Sequence, residues 1–189
     1  EERLIEDHAD WVMAIAWSPD GSQLASASRD KTSKLFDVKT GDSLATYPGH
    51  GEAVFGVSFT ADGKQIISAG ADRKIHIWNP ADGKKSAEIQ GFGLDVYQLV
   101  LDNGQIFTCS GDKTARQFAA DSRKEVRKYS GHADWVYTLS YNAGSNRLAT
   151  GSYDGEVRIW NTEDGKLVTA FKAAPGYPPN VQASAASAR

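Results

Sequence analysis

A histidine, a serine and an aspartate near the C-terminal end of the chain are of the types used in nucleophilic catalysis. They are His132, Ser152 and Asp154, and Trp160 follows six residues after the aspartate. A serine becomes a nucleophile when a base such as histidine lies within hydrogen-bonding distance and is itself oriented by a third group. These residue types alone are therefore compatible with a nucleophilic site.

The same set of residues recurs upstream at a nearly constant interval. The aspartates lie 42, 40 and 42 residues apart, and an aromatic residue follows each of them by six residues. Each upstream copy lacks one or two members. A catalytic site needs one intact set beside a pocket, whereas partial copies spread along a chain indicate a structural device. We therefore predict that these residues stabilise the fold and that the chain is not an enzyme. The corresponding positions are His8, Ser28, Asp30 and Phe36; His50, Gly70, Asp72 and Trp78; Phe92, Ser110, Asp112 and Phe118; and His132, Ser152, Asp154 and Trp160.

Short runs of alternating apolar and polar residues surround these positions. Their period is that of β-strands, and they are separated by turn sequences such as Pro19-Asp20-Gly21. In each copy the first run is the most apolar, as in Val12, Ile15 and Trp17. No convincing helical period precedes residue 172, so the pattern predicts an all-β fold.

The chain resembles the WD40 repeat family over residues 1–172. The basis is a period of about 40–45 residues with a Gly-His start and a Trp-Asp-like end. The motifs are GH at 49–50 and 131–132, SPDG at 18–21, LASASRD at 24–30, LATGSYD at 148–154, and IWN at 77–79 and 159–161.

The resemblance implies a WD40 β-propeller with four four-stranded antiparallel blades, whose strands are called a to d in chain order. Residues 1–7 align with the outer strand, d, of a preceding blade. The blades cover about 8–49, 50–91, 92–131 and 132–172, and residues 173–189 form a tail rich in proline and alanine. Glycines 41, 83 and 165 share one position in the c–d turn, where the third blade has Arg123.

The resemblance also implies a buried hydrogen-bond network in each blade. Histidine bridges an aspartate and a hydroxyl, to which the tryptophan N–H donates. On this basis the hydroxyl is assigned to the residue two before each aspartate, so Gly70 leaves the second blade without one. The predicted network residues are His8, Ser28, Asp30, His50, Asp72, Trp78, Ser110, Asp112, His132, Ser152, Asp154 and Trp160.

Composition and motifs restrict the partners and cofactors. The net charge of -3 argues against nucleic acid, which requires a basic face. No apolar run approaches the roughly 20 residues of a membrane helix, so we expect no membrane partner. No cysteine–histidine cluster has zinc-binding spacing, and we predict no metal and no cofactor. Cys109 is the only cysteine, so no internal disulfide forms and the cellular compartment stays open.

The resemblance places the partner-binding face on the d–a and b–c loops, at the mouth of the channel. Tryptophan, tyrosine and arginine, which dominate interface hot spots, occur there in the first and fourth blades. A second row, one residue beyond each strand-a valine, includes Met13; alternatively, some of these aromatic residues fill gaps between blades. The predicted partner-binding residues are Trp11, Arg29, Phe55, Tyr97, Trp135, Tyr137 and Tyr153.

Two functions remain open from the sequence. The first is a non-catalytic scaffold that binds a protein or peptide on this face. The alternative is the propeller portion of a larger multidomain protein, supporting an enzyme or electron-transfer domain absent from this chain. Four WD40 blades span about half a ring, so we expect half of an eight-bladed ring closed as a homodimer, or part of a larger propeller closed by the remaining blades of a longer chain.

Overall fold

Sixteen β-strands make up the regular structure of residues 4–174. The computed structural model describes residues 4–174, in which the strands form four four-stranded antiparallel sheets. Each sheet consists of four consecutive strands, as the sequence predicted, and the all-β architecture of four blades is confirmed. Within this range no helix is long and apolar enough to cross a membrane.

The strands of the first two blades follow the predicted order a to d. Blade 1 contains β1 (Val12–Trp17), β2 (Gln23–Ser28), β3 (Ser33–Asp37) and β4 (Ser43–Tyr47). Blade 2 contains β5 (Val54–Phe59), β6 (Ile66–Gly70), β7 (Ile75–Trp78) and β8 (Lys85–Ile89).

The last two blades repeat the same order. Blade 3 contains β9 (Val96–Asp102), β10 (Gln105–Ser110), β11 (Thr114–Ala119) and β12 (Glu125–Ser130). Blade 4 contains β13 (Val136–Asn142), β14 (Arg147–Ser152), β15 (Glu156–Asn161) and β16 (Leu167–Lys172).

The hydrophobic core lies between the blades. Neighbouring sheets pack face to face through their inner strands: β5 packs on β1 and β2, β9 on β5 and β6, and β13 on β9 and β10. One such layer joins Leu35 and Tyr47 of blade 1 to Val57, Phe59 and Trp78 of blade 2. Burial between sheets is the main source of stability in this architecture, so each blade depends on its neighbours.

The two ends of the blade series expose apolar sheet faces. Val12, Ile15 and Trp17 on blade 1 are 51%, 61% and 59% exposed, whereas Phe59, the counterpart of Trp17 in blade 2, is 6% exposed. At the other end, Phe171 is 52% exposed. The positions of Val12, Ile15 and Phe171 are buried in the other three blades, and that of Trp17 is buried in blade 2 and half-buried in blades 3 and 4.

The N-terminal segment differs from its prediction. Residues 4–7 form no strand, although 1–7 was expected to supply an outer strand. An outer strand needs the third strand of its own blade as a hydrogen-bonding partner, and in all four described blades the third strand already pairs with a fourth. The segment is instead held by Lys34, whose Nζ donates to the Asp7 carbonyl at 2.6 Å. Residues 1–3, and the predicted tail from residue 175 onward, lie outside the described residues.

Candidate functional site

One aspartate in each b–c turn connects the two sets of loops that form the candidate face. One carboxylate oxygen accepts the N–H two residues further on, closing the turn; in blade 4 the Glu156 N–H donates to Asp154 at 2.8 Å. The other oxygen accepts an N–H from the d–a loop, as from Ala133 at 2.8 Å. The same pair of contacts holds Asp30 and Asp112. The aspartates thereby fix the d–a loops against the b–c loops.

These aspartates remain ionised. Burial opposes ionisation, but hydrogen bonds from the turn, the d–a loop or a neighbouring histidine or arginine outweigh it. The pKa of each carboxyl group therefore lies below its usual range. The affected residues are Asp30, Asp72, Asp112 and Asp154.

The hydroxyl partner of each histidine lies four residues before the aspartate. His8 Nε2 is 2.6 Å from Ser26 Oγ, His50 Nε2 is 2.8 Å from Ser68 Oγ, and His132 Nε2 is 2.8 Å from Thr150 Oγ1. The prediction for Ser28 and Ser152 is therefore wrong, as is the interpretation that Gly70 leaves blade 2 without a hydroxyl.

The serines two before the aspartates have another role. Ser28, Ser110 and Ser152 donate to the d–a loop carbonyls of Asp10, Leu94 and Asp134 at 3.1–3.2 Å. Both candidate positions lie on the same face of the strand, because side chains alternate with a period of two. The serine two residues before the aspartate lies nearer the strand end and reaches the d–a loop. The hydroxyl four residues before the aspartate lies deeper in the strand and reaches the imidazole.

The hydrogen-bond networks of blades 2, 3 and 4 differ at the tryptophan and histidine positions. In blade 4 the Trp160 indole N–H donates to Thr150 Oγ1 at 2.9 Å, whereas the Trp78 indole N–H of blade 2 has no hydrogen-bond partner. Blade 3 has Phe92 and Phe118 instead, and its Thr108 hydroxyl is buried without a partner. Arg116 replaces the missing histidine there, donating to Asp112 at 2.7 Å.

This geometry does not form a nucleophilic triad in blade 4. His132 is hydrogen-bonded to Thr150 rather than to Ser152, and Thr150 is 1% exposed. A nucleophile must reach the substrate. In this set Asp154 and Ser152 contact the d–a loop, and His132 contacts the Thr150 hydroxyl of β14.

A β-bulge occurs at the same point of every first strand. The register with the second strand skips one residue: Met13 in β1, Phe55 in β5, Tyr97 in β9 and Tyr137 in β13. The extra residue of a bulge is unpaired and its side chain is re-aimed. Strand alternation alone does not predict these bulges, which explain how three aromatic residues leave the inter-blade core.

Five of the predicted binding residues form one connected group, here called the aromatic surface: Phe55, Tyr97, Trp135, Tyr137 and Tyr153. Tyr97 and Tyr137 stack with ring centroids 4.5 Å apart, and Phe55 lies 5.7 Å from Tyr97. Trp135 and Tyr153 are 6.3 Å apart, and each lies about 6 Å from Tyr137. Aromatic pairs in this distance range stabilise one another. The aromatic surface therefore spans blades 2 to 4.

The aromatic surface is accessible and has polar edges. Tyr137 is 40% exposed and Tyr153 is 44% exposed, while the other three members are half-buried. Burial raises the pKa of Tyr97 and of Tyr137, so both hydroxyls stay protonated and can donate hydrogen bonds. A groove of about 390 Å³ borders Tyr137 and Tyr153 on the side of blade 4.

Trp11 and Arg29 form a separate pair on blade 1. The Arg29 guanidinium lies 4.8 Å above the Trp11 ring, and Trp11 is largely exposed. Among the described residues Trp11 makes no ring contact with the aromatic surface. The seven predicted binding residues thus occupy two groups rather than one.

An acidic residue flanks the aromatic surface. Asp95 precedes β9 at the loop position occupied by Trp135 in blade 4. Its burial raises the pKa of the carboxyl group, and the nearby Glu52 charge adds to this increase although Arg73 opposes it. The Asp95 charge also adds to the increase in the pKa of Tyr97 and of Tyr137 that burial causes.

The family model described as "WD domain, G-beta repeat" matches residues 2–37, 41–79 and 123–161, more than half of the chain. The chain belongs to the WD40 family. Blade 3, most of which lies outside these matches, has the same four-stranded sheet as the others. Membership of this family supports a general role as a protein-interaction scaffold.

Curated relatives share parts of this WD40 chain. THO complex subunit 6 of Arabidopsis thaliana is 35% identical over 66 residues, 35% of this chain and 18% of that protein. Eukaryotic translation initiation factor 3 subunit I of Aspergillus niger is 30% identical over 84 residues, 41% and 25% respectively. Nuclear distribution protein PAC1 of Coccidioides posadasii is 26% identical over 178 residues, 93% and 33% respectively. The chain thus spans a third or less of the length of each of these three relatives.

Proposed function

We propose that this WD40 chain is a non-catalytic scaffold that binds a segment of a partner protein through the aromatic surface. The observation that carries the proposal is the continuity of Phe55, Tyr97, Trp135, Tyr137 and Tyr153 across three blades. Two relatives are named as subunits, of the THO complex and of a translation initiation factor, which favours a protein as the partner.

The physical character of the aromatic surface suits peptide recognition. Tyrosine and tryptophan bring large contact areas at a low entropic cost, and tyrosine hydroxyls add directional hydrogen bonds. The d–a and b–c loops below them are held by Asp112 and Asp154, so little ordering is needed on binding.

The test begins with a display library of random peptides selected on the immobilised chain. Affinities of the selected peptides are then measured by fluorescence anisotropy for the native chain and for Trp135→Ala and Tyr153→Ala. We expect each substitution to weaken binding by about 2 kcal/mol or more, which is roughly thirtyfold.

Val126→Ala is the matched control, because Val126 is an exposed apolar residue on the outer strand of blade 3. Its affinity should equal that of the native chain. Peptides that bind all three variants alike would contradict the proposal. If Trp135→Ala unfolds, Trp135 belongs to the core. The affinity of Tyr153→Ala for the selected peptides then tests the proposal.

A second candidate rests on the exposed faces at the ends of the blade series. Val12 and Ile15 occupy positions that are buried at every internal junction, and the position of Trp17 is buried or half-buried there. We propose that further blades cover this face, supplied by a second copy or by a longer chain in which the propeller supports another domain. An enzyme or electron-transfer domain is the alternative function that this arrangement allows.

A further inference from the structure

The d–a loops before blades 1 and 4 contain the same five residues. Residues 8–12 and 132–136 both read HADWV. In each loop the aspartate side chain accepts the N–H of the following tryptophan, from Trp11 at 2.7 Å and from Trp135 at 2.8 Å. Each loop therefore holds a carboxylate directly beside an indole ring.

Blade 1 supplies a cation to this pair from its own b–c turn. The Arg29 backbone N–H donates to the Trp11 carbonyl at 2.9 Å. The Arg29 guanidinium lies 4.8 Å above the Trp11 ring, and its Nε is 3.9 Å from Asp10 Oδ2. An arginine over an aromatic ring and beside a carboxylate combines a cation–π contact with an ion pair. Blade 1 thus shows, within this chain, what kind of group such a loop attracts.

Blade 4 has no cation at the corresponding position. Tyr153 replaces the arginine, and its backbone N–H donates to the Trp135 carbonyl at 2.8 Å in the same way. The Tyr153 ring lies 6.3 Å from the Trp135 ring and 6.1 Å from the Tyr137 ring. Blade 4 therefore keeps the carboxylate of Asp134 and adds aromatic rings to it, but its b–c turn provides no guanidinium for them.

Two carboxylates at the aromatic surface lack an ion-pair partner. In blade 2 the loop carboxylate of Glu52 is exposed and pairs with Lys31 at 3.2 Å. Asp95 and Asp134, in the loops before blades 3 and 4, are half-buried, and neither forms an ion pair within the described part of the chain. A carboxylate that has lost part of its hydration gains from a cation brought by a partner.

Both carboxylates act on the same tyrosine. The charges of Asp95 and Asp134 add to the increase in the pKa of Tyr137 that burial causes. The nearest basic residues of the b–c turns do not neutralise them by direct contact. Lys113 donates to a carbonyl of the d–a loop before blade 4 at 2.9 Å, and the Arg73 charge favours ionisation of Asp95 from beyond ion-pair distance. A partner therefore meets aromatic rings flanked by negative charge around Tyr137.

We propose that the partner segment carries an arginine whose guanidinium lies against the exposed ring of Tyr137, between Asp95 and Asp134. This inference rests on the proposed function, because it specifies the chemistry of the segment that the aromatic surface binds. Arginine fits this environment better than lysine, since its planar guanidinium stacks on aromatic rings and donates several hydrogen bonds in fixed directions. Arg29 on Trp11 is the internal example of the same contact.

The test uses the peptides selected on the immobilised native chain. Each arginine of a selected peptide is replaced in turn by citrulline, which keeps the shape of the side chain and removes its charge. We expect one such replacement to weaken binding at least about tenfold in fluorescence anisotropy, as the loss of a charged hydrogen-bond donor does. Lysine at the same position should also bind more weakly than arginine.

Asp95→Asn and Asp134→Asn test the carboxylates at constant size, and asparagine can still accept the Trp135 N–H. Each variant should weaken the arginine peptide and leave the citrulline peptide unchanged, because the two changes remove the same interaction. Asp164→Asn is the matched control. It removes an exposed charge from the c–d turn of blade 4, at the opposite end of the sheet, and should bind both peptides as the native chain does.

Selected peptides without arginine, or equal affinities of the arginine and citrulline peptides, would overturn this inference. Equal weakening of both peptides by Asp95→Asn and Asp134→Asn would also overturn it, because the aspartates would then act on the fold. In each of these cases Trp135→Ala separates the two proposals. A loss of affinity in Trp135→Ala would keep the aromatic surface as the binding site, whereas unchanged affinity would contradict the proposed function as well.

Discussion

Thr108 and Thr150 occupy the same position in blades 3 and 4 but have different surroundings. Thr150 Oγ1 is bonded to His132 and Trp160, whereas Thr108 Oγ1 is buried without a partner. We expect Thr108→Val to raise the free energy of unfolding by about 1 kcal/mol, because it removes an unsatisfied hydroxyl at nearly constant volume. Thr150→Val should lower it by about 1–3 kcal/mol. Urea unfolding measures both; destabilisation by Thr108→Val would show that its hydroxyl has a partner.

Two buried histidines predict a pH dependence of stability. Burial lowers the pKa of His50 and of His132 below the ordinary value of about 6.5. Below that pH the unfolded chain takes up protons that the folded chain does not, so stability falls as pH decreases through this range. The aspartates affect the pH dependence of stability only at lower pH. Their pKa values are also depressed, so their contribution to the free energy of unfolding is lost as the pH falls below about 3.8.

The measurement is urea unfolding at a series of pH values between about 5 and 8, in the presence of a chelator. His50→Gln and His132→Gln should each flatten the dependence below pH 6.5. A profile that is unchanged in both variants would mean that neither imidazole is held neutral in the fold.

At the scale of elements, the c–d turns show one position under local strain. Gly41, Gly83 and Gly165 have φ values of 79°, 65° and 78°, and Arg123 adopts 60° between β11 and β12. A left-handed conformation costs an L-residue about 1–2 kcal/mol. Glycine removes this cost, but the larger entropy that it loses on folding cancels part of the gain. Arg123→Gly should therefore stabilise the chain by about 0.5–1 kcal/mol.

Thermal unfolding of Arg123→Gly is compared with that of Gly165→Ala, which should shift the midpoint in the opposite direction. The Arg123 side chain is exposed, so its removal loses no core contact. A lower midpoint for Arg123→Gly would indicate that the arginine side chain, rather than the backbone, governs this turn.

At the scale of the whole molecule, the exposed end faces predict association. Phe171 is 52% exposed, whereas Tyr47 and Tyr129, its counterparts in blades 1 and 3, are 2% and 1% exposed. Ile15 shows the same contrast at the other end: it is 61% exposed, whereas its counterparts in the other three blades are at most 6% exposed. Exposed apolar faces of this kind mark interfaces, and a two-fold arrangement of two chains would close both junctions.

Light scattering on the isolated chain at micromolar concentration tests this expectation. We expect an oligomer for the native chain and for Val126→Glu, and a monomer for Ile15→Glu, which places a charge in the predicted junction. A native chain that remains monomeric throughout would refute self-association and leave only the blades of a longer chain to cover these faces.

The sequence by itself determined the strands, their grouping into blades and the aromatic character of the candidate face. These features depend on local alternation, on turn residues such as Pro19 and Gly21, and on a repeat whose landmarks recur at a constant interval. The alternation and the turn residues are signals between residues close in the chain, so the sequence alone shows them. The observed strands accordingly fall four to each of the predicted blade ranges.

Only the tertiary structure decided which atoms meet. Ser26 and Ser28 share a strand face, so alternation could not show which hydroxyl reaches His8. The bulge at Tyr137 and the proximity of His50 to His76, 26 residues apart in sequence, depend on how strands and loops are registered in space. Such contacts are set by distances of a few ångströms between segments distant in the chain. Neither residue type nor spacing encodes those distances.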